Sequence, residues 1–297
     1  MIEHPFNRQV EVLIGPLPEW KGGGEQSRAV RLFGDGTPDG LRLKFDIHKH
    51  MVTTASPTVI SVYNLGPGLR NALKKSGAQI ALSIGWQNVG LVSVFKGSVL
   101  ATVTYRSGAD IVTDIMSLAG YGGLSRSVIT KAFSGGARLK DLIYNIAKEL
   151  QGVTTDPKLI DVSDTKFGNQ GWSFAGLASE GLDKLARVYG FSWWIDKGLF
   201  HAVDDGRPLK GGSTPVISGK NGFLLRAEPM LASPFQQKTG VTITSLFNPF
   251  VEAGKSIRLE SENNPDLDGT YKVHTLRHDG DTHSSQWNTN IQSWIVL

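Results

Sequence analysis

Leu41-Arg42-Leu43-Lys44-Phe45-Asp46-Ile47 is the stretch that decides the class of fold. Its apolar side chains alternate with Arg42, Lys44 and Asp46, the two-residue period of a strand with one buried and one wet face. The same period recurs outward from it. On the N-terminal side Arg8–Ile14 places Val10 and Val12 on one face. Between them Gly15–Gly40, rich in Gly and Pro, reads as a long excursion or loop. On the C-terminal side Thr58–Tyr63 reads as a strand stopped by Asn64-Leu65-Gly66-Pro67-Gly68, with a short helix predicted over Leu69–Ser76. Ala78–Trp86 and Val92–Tyr105 are strand-like, and Gly97 marks a bulge or bend in the second.

The period then changes. Arg138–Leu150 sets Leu139, Leu142, Ile143, Ile146, Ala147 and Leu150 on one helical stripe. Ser173–Tyr189 does the same with Phe174, Leu177, Ala178, Leu182, Leu185, Ala186 and Tyr189, with Ser173 as N-cap and Gly190 as the residue past the end. Phe191–Ile195 and Leu199–Val203 form a hairpin around Asp196-Lys197-Gly198. The last third returns to strands at Val241–Ser245, Ser256–Ser261, Gly269–His278 and Trp287–Trp294. Trp287, Thr289, Ile291 and Ser293 share a face. Asn248-Pro249, Gly254 and Asn263–Asp268 are turns, and Asp279-Gly280-Asp281 signals a hairpin.

The 297 residues suit two or three packed units, and at this length about 75% of the unfolded surface can be buried. A formal charge of +4 is too weak a bias to call for nucleic acid. Arg70, Lys74 and Lys75 form the densest basic cluster, which reads as a solvated helix face. The absence of cysteine excludes disulfides, thiolate metal sites and Cys nucleophiles. No apolar run nears the ~20 residues of a membrane helix. Met1–Pro5 has no charged-then-apolar pattern, so synthesis and folding in a cytoplasm are expected.

Searches for chemistry end in structural readings. His48 and His50 share a strand face and could supply two metal ligands, but a site needs three or four, and no third is evident. His278, Asp279, Asp281 and His283 could meet a cation at a hairpin tip, yet Asp-Gly is also what a tight turn requires. Asn263–Gly269 resembles part of a calcium loop, but its spacing is wrong and Pro265 interrupts it. Gly122-Gly123-Leu124-Ser125 is no nucleophile elbow. Gly135-Gly136 and Gly22-Gly23-Gly24 lack the Lys of a phosphate loop. Asp204–Asp205 and Trp193–Trp194 are adjacent on strands and point to opposite faces, so of the two tryptophans at most one is expected in a core. No catalytic, cofactor-binding or metal-binding residue is assigned, no cofactor is expected, and no enzyme is expected.

Collected in order, several pieces resemble the tail baseplate hub proteins of tailed phages (tail-tube-like, late control protein D-like). They are Thr58-Val59-Ile60-Ser61-Val62-Tyr63-Asn64-Leu65, Gly85-Trp86, Val94-Phe95-Lys96-Gly97 and Arg106-Ser107-Gly108-Ala109-Asp110-Ile111-Val112-Thr113. Gly240–Pro249, Gly254, Gly269–Val273, His278–Thr282 and Trp287 continue the match. The resemblance covers about two-thirds of the chain; Gly15–Gly40 fits none of it. It implies a mainly β (α+β) fold of two tail-tube-like β-barrels with a smaller mixed α/β middle. Residues 1–110 would form the first barrel, 111–210 the middle and 211–297 the second. It further implies a homotrimer joining the sixfold tail tube to the threefold central spike. Its partners would be itself, a tail tube or distal tail protein, the spike and, as a further candidate, the tape measure protein. Specific nucleic-acid or membrane binding is not expected. The place implied is the virion tail, assembled in a host cytoplasm. A tail-associated cell-wall hydrolase and a hexameric distal tail or tube protein are the alternatives. No interface residue is singled out.

Overall fold

The computed structural model describes residues 8–16, 29–51, 57–74, 77–166, 171–231 and 238–296. The first unit contains β1 (Arg8–Gly15), β2 (Val30–Gly34), β3 (Leu43–His50), β4 (Pro57–Tyr63), α1 (Pro67–Lys74), β5 (Gln79–Trp86), β6 (Gly90–Ser107) and β7 (Asp110–Leu118). Its strands run in the order β2-β1-β5-β6-β7-β4-β3, all antiparallel. Each contributes alternate side chains to one core that includes Val10, Leu32, Phe45, Ile60, Leu82 and Ile115, with Leu69 and Leu73 of α1. Seven strands around one core must curl, and the unit is barrel-like for that reason.

Two expectations are corrected here. The Gly/Pro-rich excursion holds a strand at β2, where Val30 and Leu32 are buried and Arg31 is exposed. Five residues among glycines are too few for alternation to register locally; pairing with β1 across the excursion makes the strand. Residues 17–28 of that segment lie outside the described residues. Gly97 is no bulge: it stays in register opposite Ile80, and the extra residues of β6 are Val94 and Leu100 on either side. A Cβ at Gly97 would lie 2.5 Å from the Leu118 carbonyl oxygen, so the glycine serves a close strand approach.

The middle unit holds α2 (Tyr121–Arg126), β8 (Val128–Phe133), α3 (Leu139–Ala147), β9 (Ile160–Asp161), β10 (Trp172–Leu177), α4 (Ala178–Tyr189), β11 (Phe191–Asp196) and β12 (Leu199–Asp204). The predicted stripe of α3 is buried whole, against Leu182 and Leu185 of α4. The second helix starts later than its pattern suggests. Ser173 is not a cap but a residue of β10, paired with Ala132 of β8, and Trp172 stacks on Phe174 at 5.7 Å. The β8 partner lies about 40 residues away, beyond the reach of local periodicity. Gly190 closes α4 in the left-handed region, its N–H donating to the Ala186 carbonyl. The hairpin turn is as expected, with Lys197 and Gly198 both at positive φ (53° and 78°), the pattern of a two-residue type I′ turn.

The remaining strands are β13 (Val216–Ser218), β14 (Leu224–Leu231), β15 (Lys238–Leu246), β16 (Ser256–Glu260), β17 (Gly269–Asp281) and β18 (Trp287–Ile295). They surround a second β-lined core with Ile217, Val241, Ile257, Tyr271 and Ile291. The expected face of β18 is buried throughout. One sheet of 13 strands runs through both β units, and β17 is the joint. One edge of β17 pairs with β16 over Gly269–Lys272 and with β3 over Thr275–Asp281, and a bulge at His274 marks the change of partner. The last third also reaches into the first core. Phe247 and Trp287 pack on Phe45 at 5.9 and 5.2 Å, and Phe247 on Trp86 at 5.7 Å.

Candidate assembly surfaces

The positions with a chemical reading disperse. The rings of His48 and His50 lie 6.2 Å apart, and the carboxylate nearest His48, Asp46, is taken by a bidentate pair from Arg277 (2.7 and 2.7 Å). Among the described residues no group of three or more His, Asp or Glu is arranged to hold a metal. Asp279-Gly280-Asp281 is not a hairpin tip, and this too is a correction. The three residues continue β17, and the turn falls at 282–286. Gly280 faces aromatic rings: a Cβ there would lie 2.5 Å from Phe45 and 2.7 Å from Trp287. His278 is fully buried, whereas Asp279 on the other face accepts from Gln286 and Asn290. Asp281 accepts from Arg42 at 2.7 Å.

The Asn263–Gly269 segment is a turn, with Asp268 accepting from the Ser261 N–H at 2.6 Å. Ser125 donates to the Tyr121 carbonyl one helical turn back. Asp204 and Asp205 do diverge: the first holds Ser163 and Arg207, the second accepts from Ser192. The tryptophan expectation fails in an informative way. Trp193 and Trp194 point to opposite faces, yet both are buried, because β11–β12 has a core on each side. Trp193 lies in the middle unit and donates to Asp183 at 3.0 Å; Trp194 lies in the second barrel's core.

Two pieces of the family-like pattern meet at one rim of the first barrel. Asn64, at φ 55°, donates from Nδ2 to Asp110 at 2.9 Å and accepts the Ile111 N–H at 3.0 Å on Oδ1. Its own N–H donates to the Ile111 carbonyl at 2.7 Å. The Arg42 guanidinium lies over Tyr63 at 4.3 Å beside them. A cavity of about 510 Å³ is lined there by Arg42, Tyr63, Asn64, Asp110 and His283. No periodicity connects residues 64 and 110; the sheet does.

A second feature was invisible in sequence. β6 pairs with β5 only as far as Ser98, opposite Gln79, while its pairing with β7 continues to Ser107. Its distal half, Leu100–Ser107, therefore has no strand on its other side among the described residues. This edge and the face beside it carry Leu100, Val103, Tyr105 and Met116, each more than 40% exposed. Natural sheets ordinarily guard such an edge with Pro, Lys or a covering segment. The β14 edge follows that rule: it carries Pro229, which has no N–H to donate, and a charged Arg226–Glu228 pair.

The third feature is the junction of the units. Lys49 of β3 is buried and paired with Asp196 at the β11 end (2.9 Å to Oδ1). Burial pushes its ammonium down, and Asp196 opposes that push. The next residue, Lys197, donates to Glu252 of the second barrel at 2.6 Å, and Lys255 pairs with the same carboxylate. Burial alone would raise Glu252; the two lysines outweigh it and hold it at about 2.

These features belong to a recognisable class. Solved structures with the same fold include tail proteins and a secretion-system component, and the likeness spans most of the chain. The tail protein of Neisseria meningitidis MC58 superposes with a TM-score of 0.62 at 10% identity, covering 97% of both chains. The 43 kDa tail protein of prophage MuSo2 from Shewanella oneidensis gives 0.63 at 11% identity, over 96% of both. The E. coli c3393 protein, a component of the type VI secretion system similar in structure to the T4 tail proteins gp27 and gp5, gives 0.61 at 8% identity, over 88% of this chain and 75% of that one. No curated protein sequence matches the chain. A family model described as Baseplate hub gp41 matches residues 30–292, and the chain belongs to that family. Its family and neighbours are structural tail and baseplate proteins, and membership places it in the tail of a virion.

Proposed function

We propose that the chain is the trimeric baseplate hub of a phage or phage-like tail, an adaptor between the sixfold tail tube and the threefold central spike. The observation that carries this reading is β17, one strand that builds a wall of both barrels. A chain that fuses two barrel units into one sheet supplies six units from three copies, which is how a threefold object can present a sixfold face. The interface would be heterologous and close at three copies, burying over ~2,000 Å² in an obligate assembly. The unpaired edge of β6 supports an intersubunit contact there, since an open strand edge is a template for pairing with another chain. The division expected at 1–110, 111–210 and 211–297 is kept except at its first boundary, which moves to Leu118 because β7 (Asp110–Leu118) pairs with β4 and β6 of the first barrel. The partners proposed are the tail tube or distal tail protein, the spike and the tape measure protein, with assembly in the host cytoplasm and no catalytic step.

Light scattering after size exclusion, followed by electron microscopy of the particles, tests the proposal. Three chains in a ring with pseudo-sixfold density is the expected result. Six chains would favour a distal tail or tube protein, and a strict monomer at high concentration that is also absent from purified tails would refute the hub reading. Clearing of peptidoglycan in a zymogram, lost on changing one Asp or Glu, would favour the hydrolase.

A further inference from the structure

We propose that the tip of the β11–β12 hairpin is an acid-released latch that holds the middle unit against both barrels. The tip reaches two ways with adjacent residues. Asp196 takes Lys49 of the first barrel, and Lys197 takes Glu252 of the second. Behind the tip, Trp194 is seated in the second barrel's core, so close over Gly254 that a Cβ at that glycine would strike the indole. The His201 ring stacks on Trp194 at 5.2 Å and 8°. Three units thus converge on a few residues, and the middle one is tied by two charge pairs and the seated Trp194 rather than by continuity of a sheet.

The release element is His278 of β17. Its Nδ1 lies 2.9 Å from Thr289 Oγ1 of β18, and Nε2 meets no hydrogen-bond partner among the described residues. Phe247 covers the ring from one side at 5.1 Å, and Ile47 sits opposite it on β3. The charged groups that act on it are two cations, Lys49 of β3 and Lys197 of the tip. A proton on this ring would add a positive charge that Lys49 and Lys197 both oppose, with nothing among the described residues to accept from Nε2. The closed latch therefore refuses the proton, and burial together with the two ammoniums holds the imidazole well below its usual range. His201 behaves alike by a different balance. Burial lowers it to about 4; Asp196 and Glu252 favour its proton and Lys255 and Lys49 oppose it. An opened latch hydrates both rings and lets them charge at ordinary values near 6.5. Below that pH the open form binds protons that the closed form does not, and acid drives opening. Glu252, held at about 2, keeps its charge throughout, so its two bridges are not what acid removes first.

Hydrogen exchange of the full chain between pH 7.5 and 5, corrected for intrinsic rates, tests the latch. Protection of β11–β12 amides should fall by up to about 100-fold per pH unit below 6.5, tenfold for each of the two rings that gains a proton on opening. Protection in β5 and the proximal half of β6 should hold. His278→Gln should remove one tenfold step per unit, and His278→Gln with His201→Gln should flatten the profile. A flat wild-type profile, or an unchanged slope in the double variant, overturns the proposal. A second measurement needs no variant: the His278 ring resonance should stay that of a neutral imidazole at pH 5.5 while the chain is folded. Titration of that ring near 6.5 with β11–β12 still protected would equally overturn it.

Discussion

The junction around Lys49 and the distal half of β6 invert the usual placement of side chains in opposite senses. At the junction charged groups are buried between units of one chain; on the β6 arm large apolar groups face water. Buried charges cost desolvation and are recovered only by exact partners, so they fix how units of the same chain sit. Exposed apolar groups on an open strand edge have no strand beside them among the described residues, and they suit a contact with another chain. On the proposed reading, the difference separates a region that sets internal geometry from one open to assembly.

That contrast can be broken from either side. Lys49→Met, which leaves the Asp196 carboxylate buried and unpaired, should cost about 3–5 kcal/mol in denaturant unfolding. Lys49→Met with Asp196→Leu should recover most of it; equal costs for the single and double changes would mean that the pair sets nothing. Val103→Lys with Tyr105→Lys should leave the monomer's melting temperature unchanged and weaken self-association about 100-fold in sedimentation, roughly 3 kcal/mol.

The junction should also show in the pH dependence of global stability. His201 is held at about 4 when folded against about 6.5 when unfolded. The unfolded chain takes the proton first, so stability is unaffected above pH 6.5, falls between 6.5 and 4, and loses nothing further from this group below 4. The loss approaches about 3 kcal/mol, and His201→Phe, which keeps the stack on Trp194, should remove that component from melts across the window. The smallest effect belongs to the guarded edge: Leu225→Lys on β14 should change neither folding stability nor association by more than about 0.5 kcal/mol.

Much of the layout was legible because it is local. β1, β3, β4, β5 and β18 follow two-residue alternation, and α3 follows its stripe, since each buries one face and periodicity reports that directly. What went astray depended on distant partners. β2 is a strand because β1 lies beside it, Ser173 is extended because β8 pairs with it, and Gly280 accommodates the Phe45 ring from a strand remote in sequence. The assembly surfaces were less legible still. β6 is one unbroken strand-like run with bulges at both Val94 and Leu100, so nothing in its composition marks Ser98 as the last residue with a neighbour on both sides.

By itself the sequence determined a cysteine-free, strand-dominated chain with a helical middle, and it carried the family pattern in collinear pieces. Those properties reside in residue type and short spacing. Only the tertiary structure decided that one sheet runs through both barrels, that adjacent tryptophans enter two different cores, that Asn64 meets Asp110, and which strand edge is left bare. Each of these depends on register between segments far apart in the chain, and a strand's own alternation says which face is buried without saying what lies against it or beside it.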